Sequence, residues 1–159
     1  MAAVTRTEWQ ALASLLALVA IFAWFQMRMM DGWTIVDQPA AKLFGIYIVV
    51  IAFSAFAEIL IASLGAAIDG KRVVKDERDL AIDARANQNE RIFIIVAVNV
   101  LIWQALMEEV FAGHALPKID LTSLPELFFF LFAILFGGEI VKRLSTLWLY
   151  RLQSALSDA

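Results

Sequence analysis

Four apolar runs, each close to the length that crosses a bilayer, govern what this chain can fold into. They cover residues 9–27, 44–68, 92–111 and 124–141. A helix needs about 20 residues to pass through a hydrocarbon core about 30 Å thick. An unpaired backbone amide costs several kcal/mol in lipid, so each run must satisfy its own backbone as a helix. None shows the short two-residue alternation of a barrel strand. The expected fold is all-α: a polytopic membrane protein with four transmembrane helices. Hydrophobic residues make up 62% of the chain, well above the share a soluble core absorbs. No Pro/Gly/Ser-rich linker divides residues 1–159, so they read as one helical bundle.

The first run differs from a secretory signal. It is long, and it ends in Gln26-Met27-Arg28-Met29-Met30 rather than in a small-residue cleavage site. It is expected to remain as a span.

Basic residues set the expected orientation. Arg6, Lys71, Arg72, Lys75, Arg78, Arg85, Arg91, Lys142, Arg143 and Arg151 fall on one side of the four runs, and Arg28, Lys42 and Lys118 on the other. The ten-to-three excess puts both termini and the middle loop in the cytoplasm. Trp9, Trp33, Trp103 and Trp148 lie mostly near span ends, as interfacial anchors do.

The cytoplasmic loop, 69–91, carries no breaker beyond Gly70. Asp76 is placed to cap a helix that starts near Glu77 and runs into the third span. Arg78 and Arg85 are seven apart and share a face with Ile82, while Glu77, Asp79 and Asp83 have no base four residues on. Such charges serve either as a solvated face that enforces topology or as an interaction surface for another element, subunit or cytoplasmic partner. In Asp76, Glu77, Arg78, Ile82, Arg85 and Ala86 the loop resembles a family of small prokaryotic four-helix membrane proteins of uncharacterised activity. The resemblance implies a prokaryotic plasma (inner) membrane protein and supplies no mechanism.

Ser123, Pro125 and Glu126 predict the start of the fourth helix through a capping box and a proline that needs no amide donor. Leu144, Leu147, Trp148 and Leu152 prolong an apolar stripe among Arg143, Arg151 and Gln153. The tail, 142–159, is thus expected to be an amphipathic helix on the membrane surface or on the protein itself.

Polar residues inside the runs are the candidate functional groups. Glu58 lies about 15 Å of helix from the cytoplasmic end of the second span, near the midplane by that count. An ionised acid there costs roughly 2.5–3.5 kcal/mol. Ser54, Glu58, Ala62 and Gly65 form one narrow small or polar face that admits a neighbouring helix. No Lys, Arg or His lies deep in another span as a partner. Glu58 therefore reads as a cross-helix hydrogen-bonding carboxyl or as a proton or cation site.

The third span adds Asn99, expected to bond across helices, and Gln104 stacked with Glu108. Glu139 is expected to pair locally with Lys142 and Arg143. Ala13, Ala17 and Ala20, and Ala133 with Gly137, offer small faces for close packing or a homodimer. Phe128, Phe129, Phe130, Phe132 and Phe136 surround the fourth helix and suit lipid contact and packing.

Chemistry-bearing constellations are few. There is no cysteine and only one histidine, His114, so thiolate metal sites and bis-histidine haem are excluded. Glu108, Glu109 and His114 match no metal-ligand spacing, and no cofactor is expected. No phosphate loop, nucleophile elbow or catalytic carboxylate pair is present, and the acid-balanced loop does not fit nucleic acid. Two functions fit. One is a non-enzymatic, homo-oligomeric (dimeric) interaction or regulatory module in contact with membrane lipids. The other is a small proton- or cation-coupled transporter working through Glu58.

Overall fold

The computed structural model describes residues 6–69, 77–110 and 120–157. Four helices carry nearly all of it: α1 (Arg6–Met29), α2 (Ala40–Asp69), α3 (Glu77–Val110) and α4 (Leu124–Ser157). All four are long and apolar enough to cross a membrane. Between α1 and α2 the strands β1 (Met30–Asp31) and β2 (Thr34–Ile35) pair antiparallel, with Met30 opposite Ile35.

That hairpin is a small departure from the all-α expectation. Gly32 has a φ of 62°, and no described non-glycine residue has positive φ. The sign pattern is that of a type II′ turn, whose first central position favours glycine and whose twist matches the strands. Trp33 at the tip is 98% exposed. Beyond the hairpin, Val36 N–H donates to the Met29 carbonyl at 2.8 Å and Gln38 Nε2 to the Arg28 carbonyl at 2.7 Å, so carbonyls at the end of α1 find partners. Pro39 opens α2, its carbonyl accepting from Lys42 and Leu43.

α4 is the organising element. It packs along α1 on one side and α3 on the other, α1 packs along α2, and α2 and α4 touch only sparingly. The closed ring of a simple four-helix bundle does not form among the described residues. Instead α1, α2 and α4 make a three-helix unit, and α3 rides on α4.

The three-helix unit is held by a ring cluster. Phe25 and Met29 of α1 are fully buried against Leu43, Ile46 and Val50 of α2 and Phe129 and Phe136 of α4. Phe25 lies 5.7 Å from Phe129 and 5.4 Å from Phe132, both stacked, and 6.0 Å from Phe136. Of the lipid contact and packing expected for the phenylalanines of α4, the structure shows packing: Phe129 and Phe136 are buried and Phe128, Phe130 and Phe132 partly so. Between helices in lipid, dispersion and shape replace the hydrophobic drive, and interlocked rings supply both.

Gly137 and Gly138 let α3 approach. A Cβ at Gly137 would stand 2.7 Å from the Phe93 ring, and one at Gly138 3.0 Å from the Ile94 side chain. Gly137 thus serves contact within the chain rather than a face left open for a homodimer.

At 34 residues each, α3 and α4 run about 51 Å, some 20 Å longer than a hydrocarbon core. Taken as spans, they carry this excess at one end, where α3 begins and α4 finishes, as a projecting antiparallel helix pair. Helical continuity from Glu77 into the third span agrees with expectation; Asp76, its expected cap, lies outside the described residues, as do His114 and Lys118. The amphipathic tail is the C-terminal part of α4, and it lies on α3. Tyr150 donates to Asp79, Asn89 Nδ2 donates to Ser145 Oγ at 3.0 Å, and Lys142 pairs with Glu90 at 3.3 Å.

At the opposite end the start of α4 is wired differently from a capping box. Ser123 accepts the Leu127 N–H at its carbonyl, but Glu126 reaches past it to the Asp120 amide at 2.7 Å. Asp120 accepts from the hydroxyl and amide of Thr122. These bonds favour its ionised form and hold its carboxyl below the ordinary value of 3.8.

Candidate functional site

The sparse contact between α2 and α4 leaves a groove, floored by α1. Its volume is about 580 Å³, within the range of small-molecule sites. Leu18, Val50, Ile51, Leu135 and Phe136 give it apolar walls, and Ser14, Ser54, Glu58, Glu139 and Arg143 gather at one end. Tyr47 meets Phe132 edge-on at 5.9 Å at the other.

Glu58 has a partner that local spacing did not reveal. Arg143 Nη2 lies 3.0 Å from Glu58 Oε1, 85 residues away in the chain, while its Nε lies 3.8 Å from Glu139 Oε2. The local Glu139 pair was expected; the cross-helix pair, which corrects the view of Glu58 as lacking a cationic partner, was not. The Glu58–Arg143 and Tyr47–Phe132 contacts both follow from the parallel register of α2 and α4. Tyr47 and Glu58 on α2, like Phe132 and Arg143 on α4, are eleven residues apart. The two contacts therefore bracket the groove over about 16 Å of helix. Glu58 keeps 55% of its side chain exposed.

The other candidates divide between groove and periphery. Ser54 lines the groove with Glu58. Asn99 does not bond across helices: its Nδ2 donates to the Ile95 carbonyl of its own helix at 2.7 Å, on an exposed face. It thereby returns its polar group to the turn before it. Gln104 is half-buried on α3, which does not line the groove.

On the α3 side of the projecting pair, Ile82 and Ala86 are the buried positions, one turn apart, at 2% and 1% exposure, and Thr146 and Tyr150 are buried on the α4 side. Ile82 and Ala86 face the seam with α4. Glu77, Arg78 and Arg85 are exposed beside it. Ile82 is thus a docking residue within the chain, and an i, i+4 apolar pair inside a charged run was the signal for it.

No three-residue cluster of metal-binding type occurs among the described residues. Comparison with family models, curated proteins and solved structures finds no match to the chain.

Proposed function

We propose that the chain is a non-enzymatic protein of a prokaryotic plasma membrane, spanning it four times with both termini inside, and that its groove binds or carries an amphipathic small molecule. The observation that carries this reading is an apolar groove of ligand size ending in the Glu58–Arg143–Glu139 group. Glu58 lies 16 residues past Lys42, and Arg143 17 past Glu126. If these charges mark entry into the core, the pair sits about 24–26 Å deep, close to the inner edge of a 30 Å slab and not at the midplane to which the count back from residue 68 points. That depth suits a head group at the inner interface with its chain lying along the groove.

Protein in phosphatidylcholine nanodiscs should bind a dodecyl amphiphile saturably, and Ala55→Trp, which fills the groove, should remove that component. If the reading extends to transport, Glu58→Gln should stop flux in proteoliposomes. Absence of any saturable binding in the native protein would end the proposal.

A second reading, self-association, is favoured by α3. Its apolar stretch packs on α4 and leaves Ile95, Val98 and Ile102 exposed at helical spacing. Reversing the charges of Arg78 and Arg85 should then lower the assembly state in detergent, measured by analytical ultracentrifugation. A monomer before and after would dispose of it.

A further inference from the structure

Resting on the groove reading above, we infer that the ligand is a cationic amphiphile: an amine or quaternary ammonium head with an apolar chain that fits about 16 Å of groove. The inference stands on three features of the head region.

The first is a charge excess. Two carboxylates, Glu58 and Glu139, share one guanidinium, Arg143. Lys142, the neighbouring cation, pairs with Glu90 on the α3 side of α4. Among the described groove residues acid therefore exceeds base.

The second is availability. Arg143 already faces both carboxylates, so an anionic head that approaches its remaining N–H groups also meets the repulsion of two acids. A cation has no such obstacle. It approaches the exposed side of Glu58, adds an attraction and breaks none of the existing contacts; the Ser54 hydroxyl at the same end can also accept from a protonated amine, whereas a quaternary head relies on charge alone.

The third is shape. The walls beyond the head are apolar as far as Tyr47 and Phe132, whose edge-on contact ends the groove. An extended alkyl chain of moderate length fits this better than a compact polar solute, which would leave the apolar walls uncovered.

The test compares dodecyltrimethylammonium with dodecyl sulfate for saturable binding to the full chain in phosphatidylcholine nanodiscs. The cation should bind at least about tenfold more tightly, the equivalent of one modest charge contact. Glu139→Gln keeps the Glu58–Arg143 bond and balances the head; it should bring the two affinities to within about threefold. Arg143→Gln removes the only cation among the described groove residues and should widen the preference. This opposed pair separates charge recognition from misfolding, because loss of fold would abolish binding in both variants. Tighter binding of dodecyl sulfate, or a preference unmoved by Glu139→Gln, overturns the assignment while leaving the groove reading intact. Failure of both probes to saturate overturns the groove reading itself.

Discussion

Ile82→Asp should open the projecting pair of α3 and α4 and leave the membrane spans folded. Ile82 is 2% exposed in the seam, and where water is the alternative its burial contributes about 1.5–3 kcal/mol. A carboxylate in its place carries a desolvation penalty of several kcal/mol unless the seam parts to admit water. The polar contacts cannot hold it shut: each hydrogen bond contributes about 1 kcal/mol net, and a partly exposed pair such as Lys142–Glu90 between nothing and about 1 kcal/mol. Once apart, each arm is a helical segment of about 15 residues, marginal by itself in water.

The measurement is amide hydrogen exchange. Protection over residues 77–88 and 146–157 should fall by about three decades, corresponding to about 4 kcal/mol, while 92–106 stays unchanged. Ile82→Val, which costs about 0.5–1.5 kcal/mol in a packed site, should shift the same amides slightly. Unaltered protection in the aspartate variant would mean that the seam does not hold the pair together.

The four long apolar helices and the continuity of α3 and α4 were legible because runs of that length and hydropathy leave little choice but helix, and neither α3 nor α4 carries a breaker where it leaves the apolar region. Partnership was much less legible. Arg143 has Glu139 one turn away, so its pairing appeared complete along its own helix. The Glu58 contact needed to be known from the parallel register of α2 and α4, which sequence spacing within one helix does not contain. Similarly, small residues mark where helices approach without naming the neighbour, and Gly137 proved to admit Phe93 of α3. The hairpin did have a signal in Asp31-Gly32. Ser123-x-x-Glu126 had the right residues for a capping box, but the preceding Asp120 amide competed for the same glutamate and won.

Phe25→Ala should be among the most damaging single truncations in the three-helix unit, costing about 2–4 kcal/mol. In a water-soluble core the loss would be about 3–5 kcal/mol, composed of a transfer contribution and a cavity contribution. Lipid is as apolar as the protein interior, so much of the transfer contribution disappears and the cavity remains. Phe25 is completely buried, with the rings of Phe128, Phe129, Phe132 and Phe136 all within 6.0 Å. Lipid tails have no route into such a site to refill it. Leu16, on the same helix but 62% exposed, faces tails that close over a truncation, so Leu16→Ala should change stability by less than about 0.5 kcal/mol. Unfolding in denaturing detergent, compared between the two variants, checks the contrast. The consequence reaches the groove as well, since Phe132 and Phe136 both line it and both pack on Phe25. Release of those rings should weaken amphiphile binding even though Phe25 is not itself a lining residue. Equal costs for Phe25→Ala and Leu16→Ala would show that the ring cluster is not what joins α1 to α4, and the rigid wall assumed for the groove would go with it.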